Sequence, residues 1–277
     1  VPLLAPDPRR EHRGCAGNIA SNPGLRGGEG RPMATVGSEF APDAGWMHRC
    51  GIDREHIREQ HDSYTAQAYI TTDKDDNQIT AFHPGAMNRS HENRVTDAEG
   101  VSIGIVSPDG RQGMIDHARQ FAEADIPFIF YHGQGMTLFD GDDLLEFVEQ
   151  ASWLAFNDYE VRLMEERTGL GPDQLEERVK AVVVTRGGEG SHIYTRDRCF
   201  EIPTLPAAEV VDPTGCGDAY RAGLLYGLMK GMDWETTGRI AALMGAVKIE
   251  SAGTQNHSPT LQHLEDRFHA AFGYHFN

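Results

Sequence analysis

From about residue 100 onward, short apolar runs alternate with amphipathic stretches, and this alternation narrows the possible folds more than any other feature of the chain. Val101–Val106, Pro127–Tyr131, Trp153–Phe156, Ala181–Thr185 and Ser191–Tyr194 are brief and rich in β-branched or aromatic residues, so they read as strands. Between them, Gln112–Ala124 places Met114, Ile115, Ala118, Phe121 and Ala122 at helical spacing. Asp142–Ser152 and Asp158–Thr168 open on acidic residues, which suit the positive end of a helix. From Cys216 the pattern is helical through Lys230, then Asp233–Glu250, then Thr260–Phe272. Strands alternating with helices predict a parallel sheet covered on both faces.

The first third is organised differently. Met33–Val36 is a strand candidate, and Ala68–Thr72 and Gln78–Phe82 flank the polar segment Asp73–Asn77, which reads as a hairpin turn. A hairpin set apart from an α/β core serves as a lid or an edge. No internal repeat and no second domain is visible. The chain begins at Val1 without a methionine, and an N-terminal piece is expected to be missing.

Composition removes several function classes. The 277 residues carry a formal net charge of −17, which repels a polyanion and argues against nucleic acid as a partner. That charge still allows a small phosphate ligand, because backbone dipoles and a divalent metal bind one locally. Cys15, Cys50, Cys199 and Cys216 form no C-x-x-C pair, so neither a disulfide framework nor a zinc knuckle is indicated and a reducing cytoplasm is the expected home. No apolar run is long enough to span a membrane.

Three motif matches fail on context. Gly100-Val-Ser-Ile-Gly104 fits the G-x-S-x-G elbow, but a strand follows Ser102 where a helix is needed, so Ser102 reads as a strand residue. Asp73-x-Asp-x-Asn77 begins like an EF-hand loop, yet Gln78 and Pro84 stand where glycine and glutamate are required. Gly133-Gln-Gly135 and the glycine-rich Gly24–Gly30 do not give G-x-G-x-x-G, and no Gly-Lys dipeptide exists for a Walker A loop.

The segment Glu209–Tyr226 carries chemistry. Pro213 stops a strand, Gly215 and Gly217 let backbone N–H groups converge without Cβ obstruction, and the period of Ala219, Ala222, Leu224, Leu225 and Leu228 starts a helix at once. A strand, a glycine turn and a helix N-terminus make an anion hole. Asp218 falls in the first helical turn beside it. A carboxylate there either stabilises the helix dipole or acts as general base on a hydroxyl attacking the bound phosphate.

Asp212-Pro-Thr-Gly-Cys-Gly-Asp218 resembles the D-T-x-G-A-G-D signature of the ribokinase-like (PfkB-type) carbohydrate and nucleoside kinases. Asn157-Asp-Tyr-Glu160 fits the family's N-x-x-E motif, although alone it would be a helix cap. Thr185-Arg-Gly-Gly-Glu-Gly190 resembles its T-x-G-x-x-G turn, although alone it is equally a hairpin turn. Gly14-Cys-Ala-Gly-Asn18 matches the second half of G-G-x-x-x-N, and Ala252-Gly-Thr254 resembles the late nucleotide loop.

The resemblance implies a three-layer α/β/α core with a mostly parallel sheet and a small β lid. It implies one kinase domain over residues 1–277, lid elements near 1–14 and 64–92, and a family first strand lying before Val1. It implies transfer of the γ-phosphoryl group of ATP to a primary hydroxyl, with Asp218 as base and the amides of Gly215, Cys216 and Gly217 stabilising the transferring charge. Gly14 and Asn18 would hold acceptor hydroxyls. Thr185, Arg186, Gly187, Gly190, Gly215, Gly217 and Gly253 would lie along the nucleotide. Asn157 and Glu160 would act on Mg²⁺ through water. In some members a monovalent cation sits among carbonyls near Asp212 and the late loop. The stretch Thr65–Met87 is similar to the lid of bacterial adenosine kinase-like members, which points to a nucleoside, adenosine first. A ribose- or fructose-type sugar is the alternative acceptor, and a non-catalytic nucleotide-binding relative is the third reading. The chain would be a monomer or a lid-mediated homodimer.

Departures from the family pattern are Arg13 at the first glycine of the pair, Pro23-Gly24 within a helix expected after Asn18, and Tyr131-His132 where Asp-Pro is usual.

Overall fold

The computed structural model describes residues 11–12, 14–22, 25, 28–72 and 78–277. Arg13, Pro23-Gly24, the hairpin turn Asp73–Asn77 and most of the lid element expected near 1–14 lie outside them.

The central sheet has six strands among the described residues: β5 (Gly104–Val106), β6 (Phe128–Phe130), β7 (Trp153–Asn157), β8 (Ala181–Thr185), β9 (Ser191–Tyr194) and β10 (Cys199–Ile202). They lie side by side in sequence order. β5 to β8 are parallel, and β9 and β10 add antiparallel at one edge. Each parallel step needs a crossover. α3 (Arg111–Glu123) links β5 to β6, α4 (Gly141–Gln150) links β6 to β7, and α5 (Asp158–Thr168) with the one-turn α6 (Pro172–Leu175) links β7 to β8.

Alternation along the strands divides the core in two. Ala181 and Val183 face one layer with Ile129, Trp153 and Ala155, against α7 (Cys216–Met229), α8 (Trp234–Ile249) and α9 (Leu261–Phe272). Val182 and Val184 face the other with Phe128, Phe130, Leu154 and Phe156, against α3, α4 and α5. A sheet buried on both faces has no polar side, which is why its strands read as continuous apolar runs. Close helix packing seals the first layer: a Cβ on Gly223 would stand 2.6 Å from the Ala241 Cα.

Two small sheets lie apart from this core. β1 (Ala34–Gly37) pairs in parallel with β2 (Ile57–Gln60), with α2 (Ala41–Arg49) between them. β3 (Gln67–Thr72) and β4 (Gln78–His83) form the expected antiparallel hairpin. The hairpin exposes Tyr69, Ile70, Ile79 and Phe82. Its base is tied down by the Thr65 amide on Glu39 Oε1 at 2.6 Å and the Ala86 amide on the Tyr64 carbonyl at 2.7 Å.

Four local expectations change. No strand precedes Pro213: residues 203–213 are loop, and the glycine turn is reached from it directly. The strand at Val101–Val106 begins only at Gly104, so Ser102 is a loop residue. Gly104 has the Phe121 ring of α3 2.3 Å from where a Cβ would stand, so pairing starts where the helix lies directly on the backbone. The first helix does not follow Asn18 but contains it: α1 spans Cys15–Ala20 and starts from Gly14, whose φ of 128° an L side chain resists. β2 and β10 are additional strands.

Candidate active site

Two parallel strands end side by side at the site. Asn157 closes β7 and is in register with Thr185, which closes β8. Open α/β sheets bind ligands outside such carboxyl ends. The N-terminus of α7 approaches the same place, and the Tyr220 hydroxyl lies 2.7 Å from Ser191 Oγ, tying α7 to the strand after the Thr185–Gly190 turn.

Asp218 is buried in the first turn of α7. Its Oδ2 accepts a 2.7 Å hydrogen bond from Asn18 Nδ2. Its Oδ1 is buried and takes no hydrogen bond of normal geometry from a described residue. The Cys15 thiol lies beside the carboxylate. Burial pushes the Asp218 pKa up, and the Asn18 donor, the Arg221 charge and Cys15 oppose that rise. Burial and the neighbouring Asp218 charge push the Cys15 thiol well up as well, so it stays protonated.

Asn18 is the hub. While Nδ2 serves Asp218, Oδ1 accepts from Gln255 Nε2 at 2.9 Å and lies 2.8 Å from Thr254 Oγ1. Gln255 Oε1 in turn accepts from Trp46 Nε1 at 2.9 Å, and Trp46 stacks on His12 with ring centroids 5.1 Å apart. Gly14 sits at the start of the same helix, with no described residue within 4 Å of where its Cβ would be.

The glycine turn is braced by its first residue. Asp212 Oδ1 accepts from the Thr214 amide and Oδ2 from the Gly253 amide, each at 2.9 Å. These bonds hold its carboxyl below the usual range despite burial. Gly215 has φ 86° and the Thr254 Cβ 3.0 Å from where its own Cβ would be, so both conformation and space require glycine there. The Cys216 amide turns back onto the Pro213 carbonyl at 3.2 Å. Among described residues, the amides of Gly215, Gly217 and Asp218 find no partner, so they are the donors left for an anion. Beneath the turn, the fully buried Lys248 ammonium donates to the carbonyls of Asp212 at 2.7 Å and Ser251 at 3.0 Å.

Asn157 and Glu160 form a capping box: Asn157 Oδ1 accepts from the Glu160 amide at 2.7 Å, and Glu160 Oε2 from the Asn157 amide at 2.8 Å. The helix-cap function of N-x-x-E is therefore real. Glu160 is nonetheless buried, which raises its pKa against the pull of Arg221 and the Asn157 amide. The described residues contain no group of three acids, histidines or cysteines that could cage a metal. A carboxylate and an amide without further protein ligands fit a magnesium ion that keeps its water, not one stripped of it.

The Thr185–Gly190 turn is also a hairpin turn, joining β8 to β9. Arg186 is paired with Glu189 and with His192 Nε2 at 3.1 Å, so it turns back on its own loop. Gly187 and Gly188 have no described residue within 4 Å of a Cβ position, which leaves the turn's outer face open among the described residues. Gly190 has the Ile202 carbonyl 2.2 Å from its Cβ position and φ 87°, so it is fixed by packing. Gly253, at φ 76°, turns its amide to Asp212.

Sequence reasoning missed Arg221. It is 2% exposed, donates to the Gly217 carbonyl at 2.9 Å, and lies 3.9 Å from Glu160 Oε2. Its guanidinium stands 3.9 Å over the Tyr131 ring. The unusual Tyr131 is thus the platform for a cation set between two acids of the site. The next residue, His132, is fully buried against Phe156 and has its pKa pushed down to about 4 by burial, so it is neutral.

Residues 5–261 match the pfkB family of carbohydrate kinases. The chain belongs to that family. The kinase is 49% identical to the Burkholderia thailandensis nucleoside kinase solved in complex with inosine, with a TM-score of 0.95 covering 99% of this chain and 91% of that one. It is 30% identical to the Methanocaldococcus jannaschii nucleoside kinase structure, with a TM-score of 0.91 covering 98% and 90%. It is also 30% identical over 274 residues to the nucleoside kinase of Methanothermobacter thermautotrophicus, covering 96% of this chain and 87% of that protein. The fold is ribokinase-like, and the enzyme is a kinase with an alcohol group as acceptor. No helix of the described residues is long and apolar enough to cross a membrane.

Proposed function

We propose that this kinase moves the γ-phosphoryl group of ATP to the primary hydroxyl of a nucleoside, adenosine first among the candidates. The observation that carries the chemistry is the buried Asp218 carboxylate, with one oxygen fixed by Asn18 and the other, beside the Cys15 thiol, taking no hydrogen bond of normal geometry from a described residue. A buried acceptor oxygen is costly to leave unpaired, and an attacking hydroxyl would satisfy it. The hydroxyl proton then has a defined destination at Oδ1. The raised pKa brings Asp218 nearer the proton affinity of the group it must deprotonate, which favours general-base catalysis.

The amides of Gly215, Gly217 and Asp218 would take the charge of the transferring group, with the α7 dipole behind them. Thr185 and the open face at Gly187 would lie along the nucleotide phosphates, with Arg186 and Gly190 shaping that turn and Gly253 holding the late loop. Asn157 and Glu160 would hold hydrated Mg²⁺, which supplies charge neutralisation on the phosphates when bound. Gly14 and Asn18 would meet the acceptor, and the β3–β4 hairpin would close over it to exclude water. Its exposed apolar face would also suit pairing of two lids in a homodimer.

The nucleoside reading is supported by two similar proteins named nucleoside kinases, one of them bound to inosine. The family description keeps a ribose- or fructose-type sugar as the second reading. ADP release measured over adenosine, inosine, other nucleosides and free sugars separates them. Turnover of a nucleoside well above any sugar is expected; turnover of a sugar with none of any nucleoside would sink the proposal.

A further inference from the structure

Lys248 lies in the last turn of α8 and is wholly out of contact with solvent. An ammonium withdrawn from water is tolerated only where oxygens replace its hydration. Here the main-chain carbonyls of Asp212 and Ser251 do so, at 2.7 and 3.0 Å. The first belongs to the glycine turn before α7 and the second to the loop after α8. The same two segments are also joined by the Gly253 amide on the Asp212 carboxylate and by the Val211 and Asp212 amides on the Ile249 carbonyl, at 2.9 and 3.1 Å. A single positive charge therefore sits in a cradle of carbonyls directly under the turn that carries Gly215, Gly217 and Asp218.

Main-chain carbonyls converging on one charge are also what a potassium ion requires when it sheds its water. This donor set does not fit an added ion, because the ammonium already holds the two carbonyls and would face a second cation at contact distance in a buried place. The charge is felt across the turn. It helps hold the Asp212 carboxyl low, and it assists burial in pushing His257 down to about 4. His257 is then neutral and donates Nε2–H to Asn22 Oδ1 at 2.8 Å.

We propose that Lys248 is a built-in monovalent cation: a positioning residue that clamps the Asp212 turn to the Ser251 loop, aims the amides at the start of α7, and makes the kinase indifferent to potassium. The proposal rests on α7's N-terminus being the phosphoryl-binding end, as set out above.

The test compares potassium, sodium and choline chloride at equal ionic strength, with the best acceptor of the panel, and reads kcat, the KM for ATP and the melting temperature. Wild type is expected to give the same kcat, KM and melting temperature in all three salts. Lys248→Met is expected to lose about tenfold or more in kcat in choline, the scale of misdirected amide donors, with partial recovery in potassium and a melting temperature that potassium raises. A several-fold activation of wild type by potassium, or a potassium-dependent rise in its melting temperature, overturns the proposal without any variant. So does a Lys248→Met protein with wild-type kcat in choline. If no acceptor is turned over, the functional reading fails alone, because the melting-temperature comparison still decides whether the cradle takes an ion.

Discussion

Replacing Asn18 by aspartate puts an oxygen where a donor now meets Asp218. Asn18 Nδ2 and Asp218 Oδ2 are 2.7 Å apart, and both residues are buried, at 5% and 7% exposure. Two carboxylates in that geometry have charge centres about 4 Å apart, which at an effective dielectric of about 20 repel by about 4 kcal/mol. That makes the second ionisation close to a thousandfold harder, at about 1.4 kcal/mol per tenfold. The residue at 18 keeps Gln255 Nε2 and Thr254 Oγ1 as donors, so it holds the charge while Asp218 keeps the proton. The carboxyl then keeps its proton to a higher pH than in the wild type. The assay is the pH dependence of kcat and kcat/KM for wild type, Asn18→Asp and Asn18→Ser. Wild type is expected to show an acid limb above the ordinary aspartate range, since burial raises Asp218. Asn18→Asp moves that limb upward by as much as about three pH units, with activity recovering at high pH. Asn18→Ser removes a donor without adding charge and moves it less, in the same direction. An Asn18→Asp enzyme with the wild-type limb and a uniformly lowered kcat would refute the reasoning, because it would show that Asp218 does not titrate in the rate-determining step.

Asp218→Asn should lower kcat by about 10²- to 10⁴-fold in an ADP-release assay, the usual contribution of a positioned base. The same change should raise the melting temperature at neutral pH. The folded state holds the Asp218 pKa above its unfolded value, so stability falls as pH rises through that interval, and the amide removes the penalty. Gly223→Ala should cost about 1–3 kcal/mol in urea unfolding, because the added carbon would meet helix backbone 2.6 Å away and the helices must part.

The core was legible because burial leaves a strong imprint. Val182 and Val184 face one layer and Ala181 and Val183 the other, so the strand reads as an unbroken apolar run. β2 and β10 were not legible: Ile57-Arg-Glu-Gln60 carries no alternation, and Cys199-Phe-Glu-Ile202 alternates over only four residues at the edge of the sheet. α1 escaped because one helical turn with a glycine inside it offers no period to read, and its start depends on the backbone of Gly14. In the site, the glycine and acid motifs announced themselves by type and spacing. Arg221 and Lys248 did not, because long cationic side chains on helices are usually solvated. Only the folded chain shows one stacked on Tyr131 and the other under a pair of carbonyls. An arginine or lysine on the inward side of a helix otherwise lined by alanine and leucine is the signal that could have exposed them.

Asn18 touches Asp218, Thr254 and Gln255, residues 200 or more positions further along the chain. The carboxylate proposed as the base is therefore oriented by a hydrogen bond whose two halves leave the ribosome far apart in time. Contacts of such separation close late, after the parallel sheet has formed from its shorter-range pairings. A nascent chain that has not yet released residue 255 can hold most of its core and still lack a set base. A truncation that removes the late loop also removes α9, whose Leu264 and Phe268 complete one core layer, so the setting of Asp218 and the closing of that layer are lost together.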